Sequence, residues 1–126
     1  MAIEVKLREY LLTIPDIQGV VGNRIYPGWL PEKPAYPAIA YLEISGVAHH
    51  NIPVGYPRYQ FSVFSTRYGE AKTVAEAIRN ALQRYKGDMG GIKVLQGVWE
   101  GSRDMYEDDT KLYHIATDFK IIYREE

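Results

Sequence analysis

Residues 112–123 have the most regular pattern in this chain, because apolar and polar side chains alternate along them. One side carries Tyr113, Ile115, Phe119, Ile121 and Tyr123, and the other side, including the residue that follows, carries His114, Asp118, Lys120 and Arg124. A period of two is typical of a β-strand with one buried face. The chain must therefore build a sheet, and a second layer has to cover the apolar side of this strand.

Three further segments have the composition of strands. Residues 38–44 are apolar on both faces, which predicts a central or covered strand. Arg58–Ser65 alternates, and residues 92–100 place apolar side chains on both faces. We expect 38–44 and Arg58–Ser65 to pair as a long hairpin, joined by residues 47–57 as a mobile loop. Loops of this length inside a compact domain are usually functional or disordered.

Two segments repeat apolar residues at steps of three and four, which predicts amphipathic helices. The first stripe is Ile3, Leu7, Tyr10, Leu11 and Ile14, and the second is Ala71, Val74, Ala75, Ile78 and Leu82. Pro15 should end the first helix and open a short turn over residues 16–21. Ser65 and Thr66 are expected to supply capping hydroxyls for the second helix, and Gly87 to terminate it.

Four prolines stand within residues 27–37, and they predict an extended connector on the surface. Trp29 lies in this connector. We expect its side chain to tuck into the domain, with contact to a partner as the alternative.

These elements predict a single domain over residues 1–126. The expected fold class is α+β with two layers: a mainly antiparallel (mixed) sheet of about four strands, and two main helices packed on one face. The other sheet face would expose apolar and aromatic side chains, so we expect assembly with other copies. The 11 tyrosines suit protein interfaces, but they are also good strand residues, and the strand interpretation is favoured.

The charges nearly cancel, with 15 Lys and Arg against 16 Asp and Glu, and no two basic residues are adjacent. Proteins that bind nucleic acid usually concentrate positive charge, so specific DNA binding is not expected. A chain without cysteine forms neither disulfides nor thiolate metal sites. The sequence also lacks a secretory signal and an apolar run long enough to span a membrane, so we expect it to fold in a cytoplasm.

No catalytic, cofactor-binding or metal-binding signature stands out. His49 and His50 are adjacent, so on a strand they would point to opposite sides, and solvated loop histidines are the better interpretation. The carboxylates at 104 and 107–109 are mostly consecutive and lack the glycine of a calcium loop. The glycines at 87–91 lie between a helix and a strand, the wrong order for a phosphate-binding loop.

Three groups of segments follow one another in a familiar order. Residues 24–28 (RIYPG) lead into 37–46 (PAIAYLEISG), residues 59–72 (YQFSVFSTRYGEAK) run into a helix, and residues 103–107 (RDMYE) precede the closing strand. In this order, spacing and total length the chain resembles the tail-completion family of long-tailed bacteriophages, also called tail-terminator or tail-to-head joining proteins. The similarity covers about residues 5–124.

The resemblance implies a structural virion protein, not an enzyme, that caps the head-proximal end of the tail tube as a six-fold ring at the tail–neck junction. Such a ring ends tube polymerisation and provides the surface that joins tail to head. Its partners would be other copies of the chain in a hexameric ring, the tail tube protein and a neck or head-completion protein, while DNA passes through without specific binding. Alternatives are another virion assembly component, such as a tube subunit or a neck adaptor, and a small oligomeric enzyme or ligand-binding domain.

Two segments form the candidate assembly interface. The loop at 47–57 is expected to order on assembly, and the acidic tip near 104–109 to meet basic groups across an interface. The candidate residues are His49, His50, Asn51, Tyr56, Arg103, Asp104, Tyr106, Glu107, Asp108 and Asp109.

Overall fold

A computed structural model describes residues 3–46 and 54–124, which form a seven-stranded sheet and three helices. The helices are α1 (Ile3–Leu11), α2 (Pro15–Val21) and α3 (Tyr68–Leu82). The strands are β1 (Ile25–Pro27), β2 (Ala38–Ser45), β3 (Val54–Gly55), β4 (Arg58–Ser65), β5 (Gly87–Met89), β6 (Ile92–Glu107) and β7 (Leu112–Arg124). Their spatial order is β1-β2-β4-β7-β6-β5, and β3 pairs with β7 off this path. The β1–β2 pair is parallel and the others are antiparallel, so the sheet is mixed.

The prediction of about four strands and two main helices is wrong. The sheet has seven strands and curls into half of a barrel, and α2 is a helix where only a short turn was expected. The missed strands β1, β3 and β5 have two or three residues each, too few to show a period. They also contain Pro27, Gly55 and Gly87, which are residues typical of turns.

The hairpin of β2 and β4 is confirmed. Its register runs from Ala38 opposite Phe64 to Ser45 opposite Arg58, with a bulge between Glu43 and Ser45, next to the connecting loop. β4 has the predicted bounds, and β2 is one residue longer than predicted. Most of the predicted mobile loop, residues 47–53, lies outside the described residues.

The hydrophobic core lies between one face of the sheet and the helices. The five predicted core residues of α3 are all buried in it, as are the alternating side chains of β4 and, on β7, Ile115, Phe119 and Ile121; Tyr113 and Tyr123 are partly buried against it. Phe61 lies at the centre, with ring centroids 5.5 Å from Tyr41 and 5.9 Å from Phe119. We call the side of the sheet that faces away from the helices the outer face.

The end of α3 approaches β6 very closely at Gly97. The Gly97 amide donates to the carbonyl of Tyr85 (2.9 Å), and its carbonyl accepts from the amide of Arg84 (2.8 Å). A Cβ on Gly97 would overlap the carbonyl oxygen of Leu82. Only glycine therefore allows this contact between helix and sheet.

β6 is longer than expected and continues beyond residue 100 to pair Glu107 with Leu112. Asp104 and Tyr106, predicted in a polar loop tip, are therefore strand residues, and the turn is limited to residues 108–111. Hydrogen bonding to the regular strand β7 outweighs the polar composition here, because the strand context decides pairing more than local propensity does.

Candidate assembly interface

Asp104 fastens the far half of β6 to the first turns of α3. Its carboxylate accepts a 2.6 Å hydrogen bond from the Tyr68 hydroxyl, and one of its oxygens lies 3.3 Å from Nζ of Lys72. The bond from Tyr68, followed by the contact with Lys72, lowers the pKa of Asp104. The contacts that the structure shows for Asp104 are therefore within the chain, and they position β6.

A small aromatic cluster lies beside this contact. Tyr113 of β7 packs between Tyr68 and Tyr106, with ring centroids 5.4 Å and 4.8 Å away. The side chains of Tyr68 and Tyr106 are nevertheless 44% and 48% exposed. Tyrosine rings with one side supported and the other open are well suited to bury against a partner.

The acidic turn after β6 is closed by bonds to Glu107. The Lys111 amide donates to the Glu107 carbonyl (2.8 Å), and the Thr110 hydroxyl donates to the Glu107 carboxylate (3.2 Å). Asp108 and Asp109 are exposed, and the described part of the chain offers neither of them an ion-pair partner. Of the predicted acidic residues, these two are the best placed to meet a basic partner.

On the outer face near this turn, the rings of Phe64 and His114 stack at 4.3 Å. Nε2 of His114 is buried, and no residue in the described ranges bonds to it. Burial lowers the pKa of His114, so the neutral ring is favoured. Arg103, another predicted interface residue, is exposed two positions before Met105, the strand partner of His114.

The structure does not bring all the predicted interface residues together. Tyr56 follows β3, whose Gly55 pairs with Tyr123, whereas the acidic turn joins β7 at Leu112. Eleven residues of extended strand separate these two points, or about 35 Å. His49, His50 and Asn51 lie outside the described residues. The described candidates therefore lie on two separate surfaces at opposite ends of β7.

Sequence reasoning placed Trp29 wrongly. Its side chain is 86% exposed on the connector after β1, not tucked into the domain. The Gly28 amide donates to the Tyr41 carbonyl (2.7 Å), and the connector turns away from the sheet at Gly28, where φ is 83°. The glycine between Pro27 and Trp29 was the available signal for this turn, because a positive φ strongly favours glycine.

A second feature that the sequence did not indicate joins α3 to β6. The Arg79 guanidinium lies 3.7 Å above the Trp99 ring, and the Trp99 indole donates to the Thr117 hydroxyl (3.2 Å). A cavity of about 80 Å³ opens beside this stack, with Lys72 and Glu76 in its wall. The pairing of residues 20 positions apart left no local pattern to detect.

Within residues 3–46 and 54–124, no group of three or more His, Asp or Glu side chains is arranged to hold a metal ion. In the same ranges, none of the helices has the length and apolar composition needed to cross a membrane.

Comparison with known proteins assigns the family. No curated protein sequence matches this chain. A chain in the solved structure "Virion of native gene transfer agent (GTA) particle" has a similar fold, with a TM-score of 0.80 and 13% sequence identity over 98% of this chain and 95% of that chain. The model of the family described as "Tail completion protein gp17" matches residues 5–124. Since that match spans nearly the whole chain, the protein belongs to the tail completion protein gp17 family.

Proposed function

We propose that this protein, a structural component of a phage-like virion tail, forms a six-membered ring on the head-proximal end of the tail tube. The ring ends tube polymerisation and provides the surface to which the head docks. The observation that carries the proposal is the family match over residues 5–124, together with a fold shared with a chain of a gene transfer agent virion. The protein acts in this role by binding, without catalysis.

The edges of the sheet support an assembly role. β1 covers only three residues of β2, from Ile39 to Tyr41, and β5 covers only the start of β6, from Ile92 to Val94. Leu42 and Ile44 on the uncovered part of β2 are 39% and 40% exposed. Strand edges with open backbone groups readily pair with another chain.

The second support is the distribution of exposed groups near the turn after β6. Tyr106 offers a supported ring, and Asp108 and Asp109 add negative charge beside it. We place this surface, with Arg103 and Glu107, at a contact with a neighbouring subunit or with the neck. Tyr56, from the second predicted segment, lies at the other end of β7. A heterologous ring uses two different surfaces of each subunit, so we place Tyr56 at a contact separate from that of the acidic turn.

The size and charge of the chain are compatible with the passage of DNA. A compact domain of this length has a diameter of roughly 35 Å, and six such spheres in a ring enclose a hole of about the same width before contacts narrow it. The net charge of −1 offers no general attraction for phosphates. DNA would therefore pass through the ring without being held.

The decisive experiment is electron microscopy of particles from the phage or phage-like element that encodes the protein, with an early stop codon in this gene. We expect filled heads beside unattached tails, or tails of uncontrolled length, and a copy supplied in trans should restore joined particles. Normal infectious particles would overturn the proposal. Heads with no tail tubes at all would instead identify a tube subunit.

A further inference from the structure

Trp29 has the properties of an anchor residue that awaits a partner. Its side chain is 86% exposed, although tryptophan carries one of the largest apolar surfaces of any residue. The connector holds it away from the sheet, because Gly28 is bonded to the Tyr41 carbonyl and Pro27 and Pro31 restrict the backbone on both sides. Exposed but conformationally restricted tryptophans are typical hot spots of protein interfaces.

The same chain carries a groove that can receive such a side chain. It lies between α2 and α3 and has a volume of about 480 Å³, within the range of ligand pockets. Gly19 and Ala77 contribute little side-chain volume to its lining, and Pro15 and Val20 add apolar surface. The groove is lined by Pro15, Asp16, Gly19, Val20, Thr73, Glu76, Ala77 and Asn80.

The polar groups of the groove complement the tryptophan segment. Asp16 and Glu76 are carboxylates, and no cation lines the groove. The indole N–H of Trp29 can only donate a hydrogen bond, so carboxylates in the lining are suitable acceptors. Lys33, four residues further along the connector, carries an exposed positive charge that Glu32 partly offsets. We therefore assign the specific hydrogen bond to the indole N–H and not to Lys33.

We propose that Trp29 of one copy inserts into the α2–α3 groove of a second copy. The two surfaces differ, so the contact is heterologous and can propagate from subunit to subunit until a ring closes. The proposal rests on the ring proposed above and names one of its subunit contacts. It requires no rearrangement of the described chain, since both surfaces are already open.

Disulfide trapping tests this contact directly, because the chain contains no cysteine of its own. A tagged Leu30→Cys chain, which keeps Trp29 and places a thiol beside it, is mixed with an untagged Gly19→Cys chain under mild oxidation. Gly19 lines the groove, and a side chain added there meets no other atom within 4 Å. The matched control replaces Gly19→Cys by Lys93→Cys, an exposed position on β6 outside the groove. We expect the mixed disulfide with Gly19→Cys well above the control, and equal yields would overturn the proposal.

Complementation of the stop-codon particles separates this contact from the capping function. Trp29→Ala should weaken the subunit contact by about 30-fold or more and fail to restore joined particles. Gly19→Arg should fail in the same way by filling the groove. Trp29→Ala should melt like the wild type, because its side chain does not pack in the core. Gly19→Arg should melt no lower than the wild type, because it replaces a helical glycine whose added side chain meets no neighbour. If Trp29→Ala restores joined particles, the docking proposal is wrong although the capping function stands; if the stop codon itself has no effect, the capping function is wrong.

Discussion

Gly97→Ala should be among the most damaging single-methyl changes in this protein. The new Cβ overlaps the Leu82 carbonyl oxygen and lies 3.2 Å from the Leu82 carbonyl carbon, so backbone, not a flexible side chain, has to move. Overpacking of this kind costs about 1–3 kcal/mol. Displacing β6 also strains the two hydrogen bonds between Gly97 and residues 84 and 85, at about 1 kcal/mol each. We expect a total loss of about 3–5 kcal/mol in the free energy of unfolding.

A loss of that size is a large part of the 5–15 kcal/mol that typically stabilises a single domain. For a chain of this length it lowers the melting temperature by about 10–20 °C. The assay is urea unfolding followed by circular dichroism, with a thermal melt for comparison. Gly19→Ala is the matched control: it makes the same change inside α2 where a Cβ meets nothing within 4 Å, and it should stabilise the protein by about 0.5–1 kcal/mol. Equal stabilities for Gly97→Ala and the wild type would refute the close-approach argument.

Three further predictions concern polar groups. Burial lowers the pKa of His114 below 6.5. Stability should therefore fall as the pH drops below 6.5, because the unfolded chain takes up the proton more readily than the folded chain. His114→Phe should remove this loss of stability when unfolding curves at pH 7.5 and 5.5 are compared. Tyr68→Phe should raise the pKa of Asp104 in an NMR titration, so that less stability is lost as the pH falls through the range below 3.8. Ser65→Ala should lower the free energy of unfolding by about 1 kcal/mol, because the buried Ser65 hydroxyl donates to Glu70 and accepts from the Arg67 amide. The control Thr66→Ala should change it by less than about 0.5 kcal/mol.

The elements that sequence patterns predicted well are those whose periodicity spans several residues. β4 was predicted to the residue, and every residue of the α3 stripe is buried, because each element must bury a continuous apolar side. The extra strands β1 and β5 exist only because a neighbouring strand offers hydrogen bonds to them. Such pairing partners are distant in sequence, so composition alone could not reveal these strands.

The candidate interface was predicted less well, for two physical reasons. A run of acidic residues predicts that the side chains are exposed, but it does not show which groups they bind. Asp104 bonds within the chain, whereas Asp108 and Asp109 are exposed. The exposure of Trp29 depends on the direction in which the chain leaves β1 at Gly28. The neighbouring prolines give no sign of that direction, and Gly28 was the one residue that indicated the turn.

The exposed aromatic residues share one property that bears on assembly: each is restricted before a partner arrives, Tyr68 and Tyr106 by side-chain contacts and Trp29 by its backbone alone. Tyr68 is fixed by its hydroxyl bond to Asp104, Tyr106 leans on Tyr113, and Trp29 follows a glycine anchored to β2. Ordering a flexible side chain at an interface costs about 0.5–1.5 kcal/mol, and restriction in the free subunit removes much of that cost. Contacts of modest area between such surfaces can then be stable, which is what a small ring-forming subunit requires.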